Sequence, residues 1–267
     1  MRRIFGYISL AFIFFILISV WTLKIDNSLG YSEFVSGGAL FFIISFLFLF
    51  NMRKRLPFLP LWPAHKWFLL HTIMGFLALL LFWLHAGSLW PKGLYVQILA
   101  SLFYLTTLSG IVGLIMEKIY PNLLTRIGHE CIYERIPHDI AKIRKKSEKL
   151  ILECTEKTGS DTLAKHYLET LGWFFQRPRF FINNIFGGRD SHNWINQQCA
   201  ILERFLNEAE REYMKQIFTL AEIKIKIDHH YSLQTMLKSW LLIHIPLAAA
   251  AMVMAVWHLI VIQVYFN

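Results

Sequence analysis

Five stretches of this chain are long and apolar enough to cross a lipid bilayer, and that leaves very few folds open. A hydrocarbon core about 30 Å thick needs roughly 20 apolar residues as a helix. Within it every backbone N–H and C=O must be satisfied internally, so only helices or a closed barrel can span. The stretches run from Ile4 to Leu23, Phe34 to Phe50, Trp67 to Gly87, Leu94 to Met116 and Leu237 to Phe266. Each has helical rather than strand length, so the expected fold class is an all-α membrane protein of about five transmembrane helices. Composition agrees: 17% of residues are charged, against about 25% in an average soluble domain.

Charge placement predicts the topology. Arg2 and Arg3 open the first stretch, with no small-residue cleavage site after it, so it reads as an anchor helix rather than a signal peptide. Arg53, Lys54, Arg55 and Lys66 lie between the second and third stretches, Lys118 and Arg126 follow the fourth, and Lys238 precedes the fifth. Positive loops stay inside. The N-terminus is therefore expected in the cytoplasm and the C-terminus outside. The connector Leu56 to Pro63 holds three prolines and reads as extended. The short turn at Trp90, Pro91 and Gly93 makes the third and fourth helices antiparallel neighbours.

The reading divides the chain into residues 1–116 with four spans, a polar insertion at 117–236 on the inner side, and the fifth span at 237–267. The insertion reads as helical. His138 to Lys157 places Ile140, Ile143, Leu150 and Ile151 at helical spacing. Asp161 is a candidate N-cap for a helix with Leu163, Tyr167, Leu168, Leu171 and Phe175 on one face. Pro178 and Gly187-Gly188 mark turns. A long helix is expected from Trp194 toward Ile227, with a break near Asp228 before the fifth span. Cys131, Cys154 and Cys199 are far apart and form no C-x-x-C, so no covalently attached haem, zinc ribbon or iron–sulfur ligand set is written here. They read as reduced structural thiols. The net charge of +9 is explained by inner loops; no nucleic-acid motif is present.

Ionisable residues inside a bilayer are costly and are functional candidates by default. The spans contain four, all histidine: His71 and His85 in the third, His244 and His258 in the fifth. Each pair is separated by 14 positions. That is close to four helical turns, so both rings of a pair point the same way, and at about 1.5 Å per residue they stand roughly 21 Å apart. Both helices run from inside to outside, which matches His71 with His244 in depth, and His85 with His258. Two facing neutral imidazoles are what a low-spin haem iron needs as axial ligands. Gly75, one turn after His71, would let a porphyrin plane approach the backbone, and Ala248 to Ala251 are equally small. The same small residues also suit helix–helix packing. Zinc fits less well, since two imidazoles leave a tetrahedral ion two ligands short.

Two helices that each carry His-x13-His resemble the di-haem cytochrome b of quinol-oxidising complexes of the bc1 and b6f type. The stretch Trp240 to Leu247, with Trp257-His258, is also similar to bacterial b-type subunits that work beside flavin or iron–sulfur oxidoreductases. The resemblance covers the third to fifth helices. It implies two haem b groups on His71, His85, His244 and His258 within a haem-binding helix bundle. It also implies a bacterial inner-membrane location, a possible quinone, and redox partner subunits of flavin, iron–sulfur or cytochrome c type. The chain departs from the quinol-oxidising family in lacking its Pro-Glu-Trp-Tyr signature and in carrying the long insertion between the ligand helices. The ferric reductase and NADPH oxidase membrane domain has similar histidine spacing.

Smaller signals flank the histidines. His65, Lys66 and Arg53 to Arg55 could neutralise haem propionates or simply set topology. His229, His230 and Gln234 could meet a quinone headgroup, a propionate or a proton, or be solvated loop residues. The insertion carries no phosphate-binding loop, and Phe186-Gly187-Gly188-Arg189 reads as a turn; it is expected to be a docking platform or structural cover. Three functions follow: an electron-transfer subunit, a membrane ferric or quinone reductase fed by a separate flavoprotein, and a non-redox scaffold or proton-handling protein.

Overall fold

A computed structural model describes residues 2–28, 31–52, 63–128 and 131–266. The described residues are mostly helical, with no strand among them. In chain order the helices are α1 (Arg2–Asn27), α2 (Ser32–Met52), α3 (Ala64–Ala86), α4 (Leu94–Ile127), α5 (Ile136–Thr158), α6 (Thr162–His166), α7 (Gly172–Gln176), α8 (Phe181–Ile185), α9 (Asp190–Leu202) and α10 (Glu208–Phe266). Five of them (α1 to α4 and α10) are long and apolar enough to cross a membrane. The expected all-helical architecture with five apolar spans is therefore present. The proline-rich connector falls largely outside the described residues, as do the side chains of Arg2, Arg3 and Arg53 to Arg55; Pro63, its last residue, is the N-cap of α3.

The chain forms two compact units, one of residues 1–115 and 240–267, the other of residues 116–239. Helices α4 and α10 contribute to both.

In the first unit, Ile18, Ile43, Leu77, Leu81, Ala100 and Phe103 belong to one buried cluster drawn from α1 to α4. Helix α3 stops at Gly87, whose φ of 62° is left-handed and whose N–H returns to the Trp83 carbonyl. Only glycine adopts that conformation cheaply, which is why helices so often end on it. Across the turn, Phe82 stacks on Phe103 at 4.5 Å, and the Trp83 indole donates to the Tyr104 hydroxyl at 3.0 Å. Span hydroxyls mostly satisfy themselves: Ser19, Thr22, Thr72, Ser101, Thr106 and Thr107 donate to the carbonyl four residues back. Lipid offers them no other partner.

The second unit has its own core, including Ile136, Ile140, Ile151, Leu163, Phe174, Phe175, Ile195 and Ile217. The expected faces of α5 and α6–α7 are buried, except that Leu168 is 78% exposed. The reason is a π-helical turn at Tyr167–Leu171 between α6 and α7. Its extra residue per turn rotates Leu168 outward and brings Phe174 inward. Asp161 stands at the N-cap of α6 without a side-chain cap bond, its carboxylate paired instead with Lys165 at 2.9 Å.

The break expected near Asp228 lies elsewhere. Helix α9 ends at Leu202, α10 starts at Glu208, and α10 runs through Asp228 without interruption. Asn207 Oδ1 accepts from the Glu210 N–H at 2.8 Å, and Glu210 Oε2 accepts from the Asn207 N–H at 3.0 Å. This reciprocal capping box starts a new helix where the sequence reading continued an old one. The same break leaves Ile201 and Phe205 exposed. Asp228 does not interrupt α10 because its carboxylate pairs with Lys224 one turn earlier.

Candidate functional site

Helix α3 carries His71 and His85, and α10 carries His244 and His258. All four line a single cavity of about 880 Å³ within the first unit. Its walls are otherwise mostly apolar and come from α2, α3, α4 and α10, with Phe41, Phe48, Phe103, Leu114, Ala248 and Ala251 among them. Periodicity explains why both rings on a helix reach it: 14 residues return to the same face after about four turns.

One pair of rings faces each other closely. The centroids of His85 and His258 lie 6.4 Å apart with their planes at 79°. His71 and His244 lie within electrostatic reach of one another. Aromatic side chains bracket the rings: Phe50 lies 4.7 Å from His71, Tyr95 5.9 Å from His258, and Trp240 5.2 Å from His244, all centroid to centroid.

Two further helices enter the site, and sequence spacing alone did not include them. On α2, Ser36 Oγ lies 3.2 Å from His85 Nδ1. On α4, Ser109 Oγ lies 3.2 Å from His244 Nδ1. A glycine follows each serine. A Cβ on Gly37 would stand 2.8 Å from His85 Cε1, closer than real contacts allow; one on Gly110 would stand 3.7 Å from His244 Cε1, an ordinary contact. Gly113 lies one turn beyond Gly110 under the Trp240 indole, which leaves no room for a Cβ, and the indole N–H donates to the Ser109 carbonyl at 2.8 Å. The available signal was a repeated Ser-Gly dipeptide inside otherwise apolar spans. Gly75 lines the cavity, with nothing within 4 Å of where its Cβ would be.

These residues fit a metal held between paired imidazoles. An imidazole nitrogen lies about 2 Å from a bound metal and its ring centre roughly 1 Å further back, so two axial rings are separated by roughly 6 Å. The 6.4 Å between His85 and His258 agrees. His71 Nδ1 and His258 Nδ1 are buried without a hydrogen-bond partner. A buried polar atom of that kind costs about 1–3 kcal/mol in a purely structural role. Among the described residues no group of three or more His, Cys, Asp or Glu side chains comes together.

The flanking candidates fare differently. His65 is exposed in the first turn of α3. His229 and His230 are not loop residues: they sit inside α10, His230 is 5% exposed, and the Gln234 amide donates to the Cys131 carbonyl at 3.0 Å. Burial lowers the pKa of His229, so its neutral form is favoured. Cys131, Cys154 and Cys199 are unpaired, and burial, with Glu203 nearby, pushes the Cys199 thiol up to about 11. Comparison of the chain with protein-family models, curated proteins and solved structures found no match.

Proposed function

We propose that this chain is a b-type cytochrome subunit that holds two haem groups in its membrane unit and passes electrons across the bilayer. The observation that carries the proposal is the lining of one apolar cavity by four imidazoles, contributed in pairs by two helices. His71 and His244 would hold one haem, His85 and His258 the other. Haem supplies one-electron chemistry when bound, with its potential set by axial ligands, hydrogen bonds and burial. The protein supplies the rest. Helices α3 and α10 set the spacing of the ligands. Gly75 and Ala248 keep backbone and macrocycle close. The phenylalanine-rich walls exclude water, which keeps the site's dielectric low.

In this reading the chain is a multi-pass protein of a bacterial inner membrane with its N-terminus in the cytoplasm. The insertion lies on the inner side and docks a redox subunit of flavin, iron–sulfur or cytochrome c type. A quinone or an outer-face partner exchanges electrons at the other end.

A reduced-minus-oxidised spectrum and a pyridine haemochrome count on the purified chain test this. Two low-spin b haems per chain are expected. His71→Ala and His258→Ala should each remove one haem, and the double variant both. A folded chain that takes up no haem when haem is supplied would sink the proposal in favour of a scaffold or proton-handling role.

A further inference from the structure

We infer that Ser36 and Ser109 are positioning residues that set the tautomer of one imidazole in each pair, so that each haem would be held by one anchored and one unanchored histidine. The inference rests on the di-haem reading above.

A haem iron on His85 Nε2 would require the proton on Nδ1, and Ser36 is placed to accept it. Its hydroxyl has one proton and two acceptor sites. The hydroxyl oxygen lies 3.4 Å from the Ser32 carbonyl and 3.3 Å from the Glu33 carbonyl, and carbonyls only accept. These carbonyls can take the Ser36 proton, which would leave its lone pairs to His85 Nδ1 at 3.2 Å. With the hydroxyl so turned, a hydrogen bond forms there only if Nδ1 carries the proton. In a neutral imidazole that leaves the lone pair on Nε2, the form that binds a metal. Ser36 is 1% exposed. Gly37 completes the device, because any side chain there would push the His85 ring away from the hydroxyl.

The second copy is built on α4. Ser109 Oγ lies 3.2 Å from His244 Nδ1, and a haem iron on Nε2 would require Nδ1 to carry the proton and donate it to this hydroxyl. Gly110 follows beside the ring edge. The anchored ligand comes from α3 in one pair and from α10 in the other. Their partners, His258 and His71, have buried Nδ1 atoms without a hydrogen bond.

A ring that donates from Nδ1 is the more basic ligand at Nε2, and such outer partners typically tune metal affinity 10- to 100-fold. A more basic ligand stabilises the oxidised metal. Removing either hydroxyl should therefore raise the midpoint potential of one haem only, and a different one in each case.

The test uses the full chain as wild type, Ser36→Ala, Ser109→Ala and Ser36→Thr, with Ser101→Ala as control because that hydroxyl bonds only within its own helix. Histidine ¹⁵N spectra of protein made without haem report the tautomers directly. Ser36→Ala and Ser109→Ala should each shift one ring away from the Nδ1–H form, whereas Ser36→Thr and Ser101→Ala should not. In haem-loaded protein, each alanine variant should raise one of two potentials and weaken retention of that haem about 10-fold. Tautomers and potentials unchanged by Ser36→Ala and Ser109→Ala overturn the inference. A wild-type chain that shows the tautomers and binds no haem overturns the di-haem reading instead.

Discussion

In the insertion, Lys224 and Asp228 are completely buried, and apart from Asp228 Oδ1 their polar atoms are matched inside the unit. The Lys224 ammonium meets Asp228 Oδ2 and the Arg177 carbonyl, and lies 4.0 Å from the Phe174 ring centre. The Arg179 N–H also donates to Asp228, and Ser147 and Tyr167 share a buried hydroxyl pair at 2.7 Å. Burial nonetheless pushes the Asp228 carboxyl up to about 6 and the Lys224 ammonium down to about 8, so desolvation outweighs their attraction. In the membrane unit four half-buried imidazoles line the apolar cavity, and His71 and His258 each have a buried Nδ1 without a partner. Polar groups that close on themselves hold a fold together. Polar groups aimed into an apolar cavity bear an energetic cost that a ligand can offset.

The largest expected effect that tests this contrast lies in the membrane unit. If the proposed haems are present, Gly37→Ala should lose the one assigned to His85 and His258, because the new methyl would crowd the His85 ring, while Gly110→Ala should keep both. Haem counts on the two variants decide it, and equal losses would show that the cavity tolerates no added volume anywhere rather than cradling specific rings. Next comes the buried pair. Lys224→Met alone leaves a buried carboxylate unpaired and should cost about 3–5 kcal/mol. Lys224→Met combined with Asp228→Leu should recover most of that loss. Denaturant unfolding measures both, and haem content should stay unchanged if the pair serves the fold alone. The smallest effect belongs to the capping box: Asn207→Ala should cost about 1 kcal/mol, read as a lowered thermal midpoint.

Much of the architecture was legible in the sequence because it depends on local quantities. Span length, apolar content and the 14-residue histidine spacing are properties of single helices, and all reappear in α1 to α4 and α10. The misreadings arose where a local pattern had two outcomes. Asn207 and Glu210 mark a helix start, yet they sit within a run whose apolar spacing looks continuous. Asp228 and His229 look like a polar break before a span, yet the Lys224 ion pair lets α10 run on. Leu168 has the spacing of a core residue, yet the π-helical turn at Tyr167–Leu171 turns it outward.

The sequence by itself determined that four histidines lie on two apolar helices at matched spacing, because helical periodicity and bilayer thickness are fixed by backbone geometry and solvent. Only the tertiary structure decided which helices face them. Nothing in the order of residues says that Ser36-Gly37 on α2 meets His85 or that Ser109-Gly110 on α4 meets His244. That choice comes from helix packing, where small residues allow close approach and bring a hydroxyl within hydrogen-bond distance of a ring nitrogen.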